Sequence, residues 1–199
     1  MLEQRIQQHF VDSADLKYQW ADALARPVAD ASQALLTCVT NGGRIMLCGN
    51  GASGALAQYM AALLVGGMER ERPELPALAL GTDVATFTAA ARRGEFADAF
   101  AAQLRALGQP GDVLVVLSSN GRAANLVRAA EAAQEREMVV IGLTGAGGGE
   151  LGRLLRDTDV HVCVPHERPM RVHECHQLVL HVLCDNLDQQ LLGDEEIAT

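Results

Sequence analysis

The chain has 199 residues, of which 49% are hydrophobic and 21% are charged, which is typical of a folded globular protein rather than a disordered one. Its length suggests one domain that buries a core of its own. The formal net charge of −9 argues against a protein that binds nucleic acid or a membrane surface through basic residues.

The N-terminus and the cysteines indicate the compartment. Residues 1–5 are polar and do not resemble a secretory leader, and no apolar run reaches the roughly 18 residues needed to span a bilayer. The cysteines lie in apolar contexts at spacings that fit no zinc motif: Cys38, Cys48, Cys163, Cys175 and Cys184. We therefore expect a cytoplasmic protein with reduced thiols and no membrane contact.

The first forty residues read as helix. The pattern predicts a helical segment over residues 2–40, and Pro27 is expected to split it because proline removes a helix donor and clashes with the preceding turn. An Asn-Gly-Gly sequence at residues 41–43 ends the segment.

Short apolar runs then alternate with helical segments. The predicted strands are residues 44–48, 77–80, 112–117, 138–143 and 160–164. The predicted helices are residues 53–66, 84–91, 95–107, 122–136, 149–155 and 169–192. Because the strands are apolar on both faces, this order predicts a three-layer α/β fold with a five-stranded parallel sheet.

The first strand leads into a candidate anion site. Gly-Asn-Gly at residues 49–51 makes a tight turn, and Ser53 opens the next helix. Unpaired backbone N–H groups and the positive end of the helix dipole converge at such a turn, so a phosphate is the expected guest. The alternative is that the glycines only make the corner.

A second turn repeats this layout. The strand at residues 112–117 ends in Ser118, Ser119 and Asn120, and a helix follows. Two such turns at the carboxyl ends of parallel strands can face one crevice. No lysine follows the glycines and no Gly-x-Gly-x-x-Gly pattern is present, so nucleotide cofactors are disfavoured.

Six segments carry a family resemblance: residues 49–53, 69–77, 105–114, 143–145, 171–174 and 183–188. They resemble the sugar isomerase (SIS) domain family, in the branch that holds the phosphoheptose isomerases and the DiaA-type initiator-associating proteins. The resemblance implies one SIS domain over residues 1–199, with a helical segment at 1–40, an α/β core at 44–165 and a C-terminal helix at 169–192. It also implies a phosphosugar ligand. The predicted phosphate- and sugar-binding residues are Asn50, Gly51, Ser53, Ser118, Ser119, Asn120 and Arg122. Arg122 could hold the anion or be a solvated surface charge.

The chain departs from the isomerases of this family at their metal site. They carry a metal-binding His and a Glu on the helix after the first turn, where this chain has Tyr59 and Leu63. They carry a Gln and a His on the last helix, where it has His173 and His181. Leucine cannot ligate a metal, and neither Tyr59 nor Leu63 replaces a carboxylate base. His173 and His181 remain as weak metal candidates.

The same helix holds the candidate catalytic residues. Glu174 and His181 are seven residues apart and so lie on nearly one helix face, which makes them the best acid–base pair that the sequence offers. The alternative is that they form only an orienting hydrogen bond.

These departures shape the expected function. We expect a DiaA-like, non-catalytic phosphosugar-binding adaptor that acts on the initiator DnaA and needs no cofactor. The alternative is D-sedoheptulose 7-phosphate isomerase of heptose biosynthesis, with zinc as the cofactor.

The terminal helices predict self-association. Residues 2–40 and 169–192 supply more apolar helix than one side of a five-stranded sheet can cover, so we expect a homotetramer or dimer. An interface there would bring His173 and His181 of one subunit to the 49–53 turn of another. The alternative is packing within one chain.

Overall fold

A computed structural model describes residues 1–193, so the last six residues of the predicted 1–199 domain lie outside the described residues. The strands are β1 (Ile45–Gly49), β2 (Ala77–Ala79), β3 (Val113–Leu117), β4 (Val139–Gly145) and β5 (Val160–Val164). They form one five-stranded parallel sheet in the order β2-β1-β3-β4-β5. The helices are α1 (Leu2–Thr40), α2 (Ala52–Gly66), α3 (Val84–Arg92), α4 (Ala99–Leu107), α5 (Ala124–Glu135), α6 (Gly149–Leu154) and α7 (Pro169–Leu192). Short 3₁₀ helices lie at Phe96–Asp98 and Ala146–Gly148. The predicted three-layer fold is confirmed.

Alternate residues of the central strands bury into two separate layers. Ile45 and Leu47 of β1 pack with α1, α2 and α7, whereas Met46 and Cys48 pack with α4, α5 and α6. This is the period of two that a strand imposes on its side chains. Both faces of the sheet are therefore covered, and the carboxyl ends of the strands remain as the open edge.

Pro27 does not split α1, and the predicted break is wrong. The helix continues from Leu2 to Thr40 with Pro27 inside it. Proline costs a helix interior about 3 kcal/mol. Leu16 before the proline and Val28, Ala31 and Leu35 after it are all buried, so packing on both sides holds the helix together across the defect.

Helix α1 packs against α7 within one chain. Asn186 Nδ2 donates a hydrogen bond to Ser32 Oγ at 3.0 Å, and Arg171 contacts His9 Nδ1 at 2.8 Å. Part of α1 nevertheless stays uncovered, because Phe10 is 75% exposed in the single chain. Packing within the chain thus accounts for only part of the apolar surface.

All five cysteines are free thiols, and four of them are buried. Within the described part of the chain, no helix combines the length and apolar character needed to cross a bilayer.

Candidate functional site

The two predicted turns lie side by side at the carboxyl edge of the sheet. β1 and β3 are adjacent, with Gly49 paired to Leu117 where the strands end. Helix α2 begins after Gly51 and α5 after Ala123, and within residues 1–193 neither start has a side-chain cap. Ser53 N–H donates to the backbone oxygen of Asn50 and Leu126 N–H to that of Ala123, so each start offers an anion its helix dipole and the N–H groups ahead of these residues.

Gly49 is required by the close approach of this turn to its helix. A Cβ at Gly49 would lie 2.6 Å from the backbone of Ser53, far inside van der Waals contact. Gly51 adopts a positive φ of 54°, which side chains rarely tolerate. The first turn therefore brings the start of α2 directly over the end of β1.

An amide pair joins the two turns. Asn50 Nδ2 donates to Asn125 Oδ1 at 2.8 Å, and Asn125 Nδ2 donates back to Asn50 Oδ1 at 2.9 Å. Asn125 is buried in the first turn of α5, and the sequence analysis did not identify it. Its position near the start of the helix after the second turn was the available signal. The pair sets the distance between the two loops.

A cavity of about 170 Å³ lies between the turns. It is lined by Asn50, Ser53, Leu117, Ser118, Ser119, Asn120, Ala123, Leu126 and His173. The structure thus brings five of the seven predicted binding residues to one cavity and adds His173.

Gly51 and Arg122 lie outside the lining of this cavity. Gly51 lines a neighbouring cavity of about 420 Å³ on the other side of the start of α2. Arg122 is exposed, and its backbone N–H donates to Asn120 Oδ1 at 3.1 Å in a local turn. The turn that places Asn120 in the cavity leaves Arg122 at the protein surface.

Two hydroxyls in the cavity can meet a bound anion. Ser118 Oγ accepts a hydrogen bond from the Gly121 N–H at 2.9 Å, which leaves its own proton to donate. Ser53 Oγ lies 3.1 Å from His173 Nε2. Burial lowers the pKa of His173 below its ordinary 6.5, so the imidazole is neutral at pH 7.

A second contact joins α2 to α7 further along both helices. Tyr59 Oη lies 2.8 Å from His181 Nε2, and the two rings meet edge to face with centroids 5.6 Å apart. Both this contact and the one between Ser53 and His173 form within one chain. The expectation that an interface brings these histidines to the first turn of another subunit stays a prediction.

Glu174 and His181 do not form the predicted acid–base pair. Seven residues along a helix separate them by about 10 Å, so each reaches different neighbours. Glu174 accepts hydrogen bonds from Arg171 at 2.6 and 2.7 Å on the side of α7 that faces α1. Burial raises the pKa of Glu174, but hydrogen bonds from Arg171 and Ser13 and the charges of Arg171 and Lys17 outweigh it and hold this pKa below its ordinary value. Glu174 is thus an ion-pair partner outside the cavity.

His176 links α7 to the end of β4. It is fully buried, and its Nε2 lies 3.0 Å from the backbone oxygen of Thr144, to which it donates. Burial lowers its pKa to about 4. This neutral imidazole fixes α7 to the end of β4, beside the cavity.

The four positions of the family's metal site do not form a metal site here. Tyr59 contacts His181, Leu63 has no ligating atom, and His173 contacts Ser53. Two imidazoles without a carboxylate make a poor zinc site. Across residues 1–193 no cluster of three or more His, Cys, Asp or Glu side chains is arranged to hold a metal ion. The residues present therefore do not fit the group that the resemblance implies.

Comparison with known proteins agrees with this architecture. The chain matches the SIS domain family over residues 8–145. It is 54% identical to the phosphoheptose isomerase of Methylibium petroleiphilum, over 99% of this chain and 98% of the relative. The structure of phosphoheptose isomerase GmhA from Neisseria gonorrhoeae superposes with a TM-score of 0.90 at 42% identity, covering 95% of this chain and all of that one. A phosphoheptose isomerase structure from Francisella tularensis gives a TM-score of 0.91 at 40% identity, over 95% of this chain and 99% of that one.

These relatives correct the functional expectation. They span nearly the whole chain and carry the name phosphoheptose isomerase, so the prediction of a DiaA-like, non-catalytic adaptor is wrong. DnaA as a partner has no support among them. The losses at Tyr59 and Leu63, on which the adaptor prediction rested, are changes inside an isomerase-like chain. By its sequence match and its fold, the chain belongs to the SIS domain family.

Proposed function

We propose that this protein is a sugar-phosphate isomerase that interconverts D-sedoheptulose 7-phosphate and the corresponding aldose phosphate. The observation that carries the proposal is the cavity at the starts of α2 and α5, whose lining includes Ser53 of α2 and His173 of α7. The names of the relatives supply the substrate class.

The cavity at the turns would take the phosphate. Its lining offers the hydroxyls of Ser53, Ser118 and Ser119, and it lies at the N-terminal, positive dipole ends of α2 and α5. This donor set suits a phosphate dianion, which has only acceptors, and it resembles other helix N-terminal phosphate sites. A phosphate that takes the Ser53 hydroxyl would also compete with His173 for it.

The length of a seven-carbon substrate matches the helix rise from the contact of Ser53 with His173 to the contact of Tyr59 with His181. Tyr59 follows Ser53 by six residues on α2, and His181 follows His173 by eight on α7, which corresponds to about 9 and 12 Å of helix rise. Eight bonds separate C1 from phosphorus in a heptulose 7-phosphate. At about 1.2 Å of advance per bond in an extended chain, they span about 10 Å. A phosphate at the turns would therefore leave C1 and C2 near Tyr59 and His181.

The reaction at that end is a proton transfer. One proton moves from C1 to C2 through an enediol, and the hydroxyl proton on O1 ends on O2. Such a step needs a positioned acid–base group, and His181, in contact with Tyr59, is the imidazole farther along α7 from the turns. No step passes through a metal, because the residues do not fit one.

The protein surface supports self-association. Phe10 and Tyr18 on α1 are 75% and 87% exposed in the single chain, and exposed apolar patches of this kind mark interfaces. A homotetramer or dimer that buries this face of α1 is part of the proposal. Light scattering at micromolar concentration measures it, and a monomer of about 21.2 kDa would contradict it.

Turnover of sedoheptulose 7-phosphate by the purified protein tests the main proposal. The aldose phosphate is measured by chromatography with wild type, Ser53→Ala and the control Thr40→Ala, which changes an exposed hydroxyl on α1 outside the cavity. We expect turnover in wild type and in the control, and a KM raised about tenfold or more in Ser53→Ala, since a hydrogen bond to a charged group contributes about 1.5–3 kcal/mol. No turnover by wild type would refute the isomerase.

A further inference from the structure

We infer that Tyr59 and His181 form a metal-independent proton-transfer pair, with Tyr59 as a catalytic residue of the reaction proposed above. The inference rests on that proposed function, and it deepens it by assigning the chemistry at the reacting end. It starts from the contact between Tyr59 and His181, which lie at two of the positions where the family's isomerases carry metal ligands.

The contact has the geometry of an acid–base dyad. The 2.8 Å separation of Tyr59 Oη and His181 Nε2 is that of a direct hydrogen bond between the two side chains. Tyr59 is 38% exposed, so its side chain is partly open to solvent. A hydroxyl held by an imidazole at this distance is the arrangement by which proteins activate a weakly acidic group.

The pair also explains the loss of the carboxylate. Leu63 follows Tyr59 by one helical turn and supplies no polar atom, so a metal or a carboxylate base at this point has no support from α2. With the tyrosine bound to His181, the imidazole lone pair faces a phenol rather than a cation. The Tyr59–His181 pair thus takes the place of both the metal and the carboxylate base.

Tyr59 and His181 together can carry out every proton transfer to and from carbon that the reaction needs. Tyr59 Oη takes the C1 proton while its own proton passes to His181 Nε2. The C–H electron pair becomes the C1=C2 bond, and the carbonyl pair moves onto O2. The O1 proton transfers to the neighbouring O2, the O1 electron pair forms the C1=O bond of the aldose, and the C1=C2 pair takes a proton at C2 from Tyr59 as Tyr59 regains one from His181. Both side chains end as they began, and no oxidant or reductant is needed.

Removing only the phenol oxygen tests the assignment. Tyr59→Phe keeps the ring and its edge-to-face contact, and we expect kcat to fall by about 10²–10⁴-fold with KM within about threefold of wild type, because the phosphate contacts are untouched. The control is Thr40→Ala, which removes an exposed hydroxyl at the C-terminal end of α1, outside the cavity, and should leave kcat unchanged. Thermal melting of both variants checks that each is folded.

Metal content gives a readout independent of turnover. Wild type purified without a polyhistidine tag should hold less than about 0.1 zinc per chain, and a chelator should leave its kcat unchanged. The double variant Tyr59→His, Leu63→Glu restores an imidazole and a carboxylate beside His181 and should bind zinc.

Each result points to a distinct failure. Turnover that survives in Tyr59→Phe, or that is lost with the chelator, would overturn the pair and leave the isomerase standing. One tightly held zinc per wild-type chain would do the same. No turnover in wild type under any condition would overturn the proposed function, and the catalytic role of the pair with it.

Discussion

The buried ion pair between Arg72 and Asp188 is predicted to hold α2 and α7 at the spacing that the site needs. The two side chains are 1% and 2% exposed, and Arg72 also donates to the backbone oxygens of Leu63 and Leu64 in the last turn of α2. Asp188→Asn keeps the shape but leaves the guanidinium without its counter-charge. Breaking one partner of a buried pair costs about 3–5 kcal/mol. At 2–4 °C per kcal/mol for a chain of this size, the melting temperature should fall by roughly 6–20 °C.

Urea unfolding of matched variants measures this cost. Asp30→Asn is the control, because its ion pair with Arg26 is exposed and such pairs contribute at most about 1 kcal/mol. Arg72→Leu should lower the free energy of unfolding at least as much as Asp188→Asn, because it also removes the hydrogen-bond donor to the backbone oxygens of Leu63 and Leu64. An Asp188→Asn variant no less stable than the control would refute the view that this pair fixes the two helices.

Two further predictions concern the turn and the pH dependence of folding. Gly49→Ala should weaken phosphate protection in thermal-shift assays and lower stability, because its Cβ meets the Ser53 backbone, whereas Gly66→Ala, with nothing within 4 Å, should be neutral or slightly stabilising. Equal effects would contradict this account of the turn. His176 has a pKa of about 4 when folded against an ordinary 6.5, so unfolding free energy should be highest above pH 6.5 and fall by a few kcal/mol toward pH 4. Urea titrations at pH 7 and 4.5 should show a shallower fall in His176→Gln, and an unchanged fall would exclude His176 as the main cause.

The sequence predicted the sheet and both turns because their signals are local. Apolar runs without polar interruption define β1, β3 and β4, and the residues after β1 and β3 identify the helix starts that face one crevice. The predicted break at Pro27 is wrong because the energetic cost of a proline in a helix is local, whereas the packing that offsets it depends on the whole fold. Leu16 and Leu35, on either side of the proline, are both buried.

The site chemistry was harder to predict, because it depends on contacts between residues far apart in the chain. Ser53 and His173 are 120 residues apart, and Tyr59 and His181 are 122 apart. Glu174 lies on nearly the same helix face as His181, yet the ion pair with Arg171 keeps it outside the cavity. Tyr59 and Leu63, in place of the family's metal-binding His and Glu, predicted a loss of catalysis, and the adaptor predicted on that ground is wrong.

The most direct test of the central claim is proton exchange between water and the substrate. Sedoheptulose 7-phosphate is incubated in D₂O with the metal-stripped protein and followed by ¹H NMR at the C1 protons and at the C2 proton of the aldose. The account predicts formation of the aldose phosphate, with deuterium at C2 in the fraction of turnovers in which the Tyr59 hydroxyl exchanges with D₂O before it protonates that carbon. A protein that is thermally stabilised by the sugar phosphate but forms no aldose phosphate and exchanges no proton would contradict it.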